Sequence, residues 1–160
     1  MTQEKNKDSK SSDGVTEVRK REHIETILKS DVVAKGVTTG FEQFTLEHCA
    51  MPEIDLDSID LSVPLFGITL QAPILISSMT GGVSQGGIIN RRLAECAQAL
   101  GLAMGLGSQR AAIEQSSLAE TYKVRDVAPD ILLFANLGAV QLNYGYGIDE
   151  ARRAVDMIEA

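Results

Sequence analysis

Three short apolar runs in the second half of the chain each open onto small and polar residues. Ile74-Leu75-Ile76 leads into Ser77-Ser78-Met79-Thr80-Gly81-Gly82. Leu102–Gly107 leads into Ser108-Gln109-Arg110, and Ile131–Ala135 leads into Asn136-Leu137-Gly138. Apolar runs of strand length without polar alternation fit parallel strands covered on both faces. Between them the period turns helical. From about Gly87 to Leu100, Ile89, Leu93, Ala97 and Leu100 fall on one face, with Gly101 as the stop. Ser117 and Glu120 have the spacing of a capping box, which predicts a helix running towards Pro129. Asp149 begins a third helix, with Ala151, Val155 and Ile158 on one side. Strand and helix thus alternate three times, which predicts a parallel sheet with right-handed crossovers.

Thr80, Ser108 and Asn136 each sit just past a predicted strand, and 28 residues separate each from the next. Polar residues therefore recur on one rim of the sheet. A doubly wound sheet holds its ligand where the strand order switches, whereas a barrel gathers residues from successive strand ends around one mouth. The equal spacing favours the barrel. The predicted class is α/β, of the TIM (β/α)8 barrel type, with only the first three βα units and an N-terminal extension present. A closed barrel takes about eight units and ~250 residues. A chain of 160 residues with three units leaves the sheet open and its third strand as an edge. It reads as the leading part of a longer protein. The expected division is a disordered polar tail over 1–18, a helix and cap segment over 19–72, and the βα units over 73–160.

Charge narrows the function classes. The net charge is −7, yet residues 1–23 carry six basic against five acidic side chains, so the remainder holds −8. An acidic body argues against general nucleic-acid binding, which needs a basic surface. No run approaches the ~18 apolar residues of a membrane span, and the first eighteen residues have no apolar stretch of a secretory signal. A cytoplasmic protein with reduced cysteines is the expectation. Cys49 and Cys96 lack metal-ligand spacing, and Cys96 falls on a helical apolar pattern that suggests packing.

The preamble holds one concentrated basic feature. Ile24, Ile27 and Leu28 have helical spacing, and Arg19-Lys20-Arg21 would stand at the start of that helix, where the macrodipole disfavours cations. Three cations there suit an anion, although a solvated charge run has the same appearance. His23 follows them on the same helix. His48 stands alone, as a surface or packing histidine does. The stretch Phe41–Pro64 is irregular and acidic, with Phe44 and Leu46 alternating like a short strand. Asp55, Asp57 and Asp60 lack the glycine and terminal glutamate of a calcium loop. Phe66–Leu70 reads as a strand.

The rim carries the candidate chemistry. Ser77, Ser78 and Thr80 offer hydroxyls, and Gly81-Gly82 lets backbone amides approach a ligand. Ser108 and Gln109 can hydrogen-bond, Arg110 offers a fork suited to phosphate, and Asn136 can donate and accept at once. Each taken singly is also what an ordinary turn contains. Together on one rim they point to a cofactor pocket. No P-loop, dinucleotide fingerprint, Ser-His-Asp set or metal cluster is present in the sequence.

Five motifs occur in an order that carries a resemblance. They are Arg19-Lys20-Arg21-Glu22-His23-Ile24, Met51-Pro52-Glu53-Ile54-Asp55, Ser77-Ser78-Met79-Thr80-Gly81-Gly82, Gly107-Ser108-Gln109-Arg110 and Ala135-Asn136-Leu137-Gly138. From about Arg19 to Ala160 the chain resembles the N-terminal portion of type 2, FMN-dependent isopentenyl-diphosphate delta-isomerase. The resemblance implies a TIM barrel that interconverts isopentenyl and dimethylallyl diphosphates in isoprenoid biosynthesis. It implies reduced FMN acting by proton transfer, Mg²⁺, NADPH as reductant, and a homo-oligomer. It places Ser77, Ser78, Met79, Thr80, Ser108 and Asn136 at FMN. It places Arg19, Lys20, His23, Ser108, Gln109 and Arg110 at the diphosphate substrate. The Gln-Glu motif that contacts substrate and holds Mg²⁺ in that family would lie beyond Ala160, so no catalytic residue or metal ligand is assigned in this chain. The expectation is a chain that carries site residues and is inactive alone. Beside it stand a non-catalytic partial barrel that pairs with a partner or a copy of itself, and another FMN-dependent barrel enzyme.

Overall fold

The computed structural model describes the backbone of residues 12–160 and the side chains of residues 18–160. The N-terminal part of the expected disordered tail, residues 1–11, lies outside the described residues. Helix α1 runs Ser12–Lys29. It begins well before Arg19, so the basic triplet sits in mid-helix and not at its start. The macrodipole therefore does not disfavour these cations, because the field of a helix end fades within its first turn. The expected strand around Phe44 is also absent. A 3₁₀ turn, Phe41–Gln43, stands before it, and both phenylalanines are exposed.

Strands β1 (Val63–Leu65) and β2 (Ile68–Leu70) form an antiparallel hairpin with Leu65 opposite Ile68. Its two turn residues both have positive φ, 47° at Phe66 and 81° at Gly67. That is the tight hairpin turn whose twist matches the flanking strands. The exposed ring of Phe66 meets that of Phe134 edge-on, with centroids 6.0 Å apart.

The second sheet holds β3 (Leu75–Ile76), β4 (Ala103–Gly105) and β5 (Leu133–Phe134), parallel and in that order. Helix α2 (Ser84–Leu100) connects the first pair, and Gly101 ends it in the left-handed conformation, donating back to Ala97 and Gln98. Helix α4 (Ile148–Ile158) follows β5. The predicted barrel is corrected here. Among the described residues the sheet has three strands and stays open, with β3 and β5 each paired on one side only. The 28-residue interval that favoured a barrel is not a constant of the ladder either. Ile76 pairs with Met104, but Met104 pairs with Leu133, an offset of 29. The regular spacing belongs to the rim residues alone.

Met104 and Leu106 face the helices and pack with Ala94 and Ala97 of α2, Ile158 of α4, and Tyr122, Val124 and Ala128. The two alanines let α2 lie close on the sheet. On the opposite face Ala103 packs with Leu70 and Leu132 under the hairpin. The helix expected from Ser117 to Pro129 is corrected as well. A short helix α3 (Arg110–Glu114) is followed by a 3₁₀ turn, Ser116–Tyr122, without a side-chain cap. Local bonds explain the break. The Thr121 hydroxyl donates to the Leu118 carbonyl, and the Thr121 carbonyl accepts from Asn90 instead of continuing a helical ladder. Cys96 is exposed rather than packed. Helix α4 buries Ile158 as expected and Ala154 beside it, and leaves Ala151 and Val155 outside. Arg125 closes this end. Its guanidinium donates to the Glu159 carbonyl beyond α4 and to the carbonyls of Ala128, Pro129 and Ile131.

Candidate functional site

The carboxyl ends of β3 and β4 face α1 across a cavity of about 340 Å³. Lys20, Ile24, Ile27 and Leu28 line it from α1 at the three- and four-residue steps that share a helix face, with Arg19 and His23 beside them. Met79, Thr80 and Ser108 line it from the rim, and Ile89 from α2. The cavity therefore has a cationic part and an apolar part. A group that fills both would be an anion carrying a hydrocarbon.

Lys20 ties α1 to the rim. Its ammonium donates to the Gly81 carbonyl and to the Tyr122 hydroxyl, the latter at 2.9 Å. Burial, with the Arg110 and Arg19 guanidinium groups in its neighbourhood, lowers its pKa to about 8. A lysine lowered on folding opposes folding while charged. That penalty is present in full below about pH 8 and fades as pH rises towards the ordinary value of 10.5. An anion in the cavity reverses the balance by favouring the charged form.

The glycine pair makes room for these contacts. A Cβ on Gly81, with φ of +154°, would come within 2.1 Å of the Tyr122 ring. A Cβ on Gly82, with φ of +75°, would stand 2.7 Å from the Lys20 ammonium nitrogen. The Gly82 amide donates to the Thr121 hydroxyl at 2.8 Å. Asn90, wholly buried on α2, donates to the carbonyls of Thr80 and Thr121, both at 3.1 Å. These bonds fix where the chain turns after β3.

The three rim segments are cross-linked. The Gly107 amide donates to the Thr80 carbonyl at 3.1 Å, and the Gln109 amide to the Asn136 carbonyl at 2.9 Å. The Asn136 carboxamide reaches over β4 to donate to the Ser78 hydroxyl at 2.9 Å. It can do so because residue 105 is glycine, where a Cβ would crowd Ser78 Oγ at 2.9 Å. Ser78, Thr80, Ser108 and Asn136 are thus brought onto one rim, and Met79 lies exposed on the cavity. Ser77 is exposed and has no cavity contact.

Two residues assigned to the substrate do not line this cavity. Gln109 is wholly buried, accepting from the Asn136 amide at 2.9 Å and donating to the Ala154 carbonyl at 2.7 Å. Both ends of its carboxamide are spent inside the wall that joins β4, β5 and α4. Arg110 opens α3, half-buried, with Glu114 3.8 Å from its Nε. Sequence reasoning missed Tyr122, Thr121 and Asn90 as parts of the site. They lie in mid-segment with no motif around them, and only the fold carries them to the rim.

No group of three His, Cys, Asp or Glu side chains among the described residues is placed to hold a metal ion. No helix among them is long and apolar enough to cross a membrane.

No family model matches the chain. Curated relatives do. It is 66% identical over 142 residues to isopentenyl-diphosphate delta-isomerase of Synechocystis sp., covering 89% of this chain and 41% of the relative. It is 54% identical over 145 residues to the protein of that name from Nostoc sp., covering 91% of this chain. The corresponding protein of Cronobacter sakazakii is 54% identical over 143 residues. The finer assignment to the FMN-dependent type 2 class is corrected to the level these names carry, which specify neither a type nor a flavin, on a chain whose sheet is not a barrel. The chain spans about two-fifths of the length of the isopentenyl-diphosphate delta-isomerases it matches, and it is similar to them across nearly all of its own.

Proposed function

We propose that this chain contributes the substrate-binding part of an activity that interconverts isopentenyl and dimethylallyl diphosphates, and that the cavity between α1 and the rim receives the substrate. The observation that carries this reading is the pairing within one cavity of Arg19, Lys20 and His23 with the apolar side chains of Ile24, Ile27, Leu28 and Ile89. Cationic donors suit a diphosphate, and aliphatic walls suit a short branched hydrocarbon. The high identity to proteins named for this activity supports the same substrate.

For the cofactor we propose flavin mononucleotide on the rim. The Ser78 hydroxyl and the Asn136 carboxamide can each donate and accept, which suits the mixed edge of a flavin ring, and Met79 offers a polarisable surface beside them. Reduced flavin would supply proton transfer at the allylic system without net redox change. The residues of this chain would do the rest: α1 holds the anion, and the rim orients the ring. NADPH would serve as reductant, and Mg²⁺ is assigned no ligand among the described residues. The open edges of β3 and β5 and the exposed Ile74 and Leu75 support assembly with a further copy of the chain.

A paired titration tests the reading. FMN fluorescence should be quenched saturably by the protein, and Asn136→Ala should weaken that binding roughly tenfold, the range for a lost pair of polar contacts. Isopentenyl diphosphate should bind by calorimetry with or without flavin. Absence of saturable diphosphate binding would contradict the substrate reading, and absence of quenching would contradict the flavin.

A further inference from the structure

Tyr122 is wholly buried and does not line the cavity between α1 and the rim, yet it touches every segment that forms the anion-binding side of the site. Its ring fills the space left by the missing side chain of Gly81, in the turn after β3. Its hydroxyl donates to the Ser108 carbonyl after β4 at 2.8 Å, and accepts from the Lys20 ammonium of α1 at 2.9 Å. The directions of these bonds are forced. A carbonyl can only accept and an ammonium can only donate, so one phenol oxygen joins them in one orientation. Burial raises the pKa of the phenol, so it keeps the proton that this arrangement needs.

We propose that Tyr122 is a positioning residue of the diphosphate site, setting the Lys20 ammonium and the Ser108 loop in register with each other through its hydroxyl. This rests on the reading of the cavity as an anion site. The groups that face Lys20 are the guanidinium groups of Arg19 on α1 and Arg110 on α3, the Tyr122 phenol, and His23 across the same cavity. The two guanidinium groups oppose the ammonium, and the phenol oxygen stabilises it. Removing that oxygen leaves a charged lysine with one acceptor fewer in a half-buried place.

The test is Tyr122→Phe, which keeps the ring against Gly81. The Lys20 titration is followed by NMR of its ε-methylene without ligand, and inorganic diphosphate affinity is followed against pH. The Lys20 midpoint should fall by about one pH unit, the size of one hydrogen bond to a charged group. Diphosphate affinity at pH 7 should fall roughly 3- to 10-fold, with its pH break displaced by the same amount as the lysine. A folded Tyr122→Phe protein with an unmoved Lys20 midpoint would overturn the proposal. So would an equal loss of affinity at every pH, which is what a merely structural role gives. Should Tyr122→Phe not fold, 3-fluorotyrosine at this position, with Tyr144 and Tyr146 changed to Phe, offers a poorer acceptor. It should move the midpoint the same way, and no movement would overturn the proposal. Failure of the unaltered protein to bind diphosphate would overturn the anion reading itself. That result is separate from the ligand-free lysine titration.

Discussion

Gly107→Ala should destabilise the protein by about 3 kcal/mol, a cost typical of forcing a side chain into filled space. A Cβ at this position would lie 2.4 Å from the Thr80 carbonyl oxygen and 2.6 Å from its carbon. Both are backbone atoms and neither can swing aside. The same glycine donates its amide to that carbonyl, so relieving the clash by moving the strands apart would break the bond that joins the first two rim segments. Urea unfolding followed by circular dichroism reads the effect. Gly138→Ala is the control. Its added Cβ would meet only Val140 at 3.8 Å, an ordinary contact, and its stability should change by less than about 0.5 kcal/mol. Equal costs for the two substitutions would contradict the close approach of the turns after β3 and β4.

Lys20→Met should weaken diphosphate binding roughly 10- to 100-fold while keeping the length of the side chain, the loss expected for one charge-assisted contact to a phosphate oxygen. The pH profile gives a second signature with a fixed sign. Folded Lys20 has its pKa lowered to about 8, so the unaltered protein should lose affinity as pH rises through that value, because the neutral amine no longer attracts the anion. Lys20→Met should lack this limb. Lys123→Met is the control, since that lysine is exposed and pairs with Glu120 away from the cavity. It should bind as the unaltered protein does. Equal affinity for Lys20→Met and the unaltered protein would remove the cationic part of the site as the anion's seat.

What could be read from the sequence divides along local and non-local lines. The α2 helix and its Gly101 stop follow from period and from a residue that tolerates the left-handed conformation, and both are local. The three apolar runs do become parallel strands, because hydrophobicity without alternation is a signal each run carries alone. The start of α1 was not legible. Ser12 to Val18 has no apolar stripe, and a polar segment reads as tail unless its helical state is seen. The barrel was an extrapolation from rim spacing, and the ladder offsets of 28 and 29 show that the rim and the strand register are different quantities.

The site shows the same division. Ser78, Thr80, Ser108 and Asn136 share a rim because each follows a strand, and strand ends share a rim in any parallel sheet. The resemblance places Gln109 at the substrate. The chain turns after β4, however, and carries its side chain inwards, where Asn136 and Ala154 satisfy it. Tyr122 left no trace in sequence pattern. Its role depends on Gly81, Ser108 and Lys20 meeting around it, and Lys20 is 102 residues away.

On the proposed reading, an isoprenoid diphosphate sits between α1 and the rim. The most direct measurement is the set of backbone amide shifts on adding isopentenyl diphosphate to ¹⁵N-labelled protein. Shifts should concentrate at Arg19–Ile24, at Met79–Gly82 and at Ser108, the segments that border the cavity. Shifts confined to the cleft lined by Arg91, Lys123 and Arg125, with the α1 amides unmoved, would contradict it.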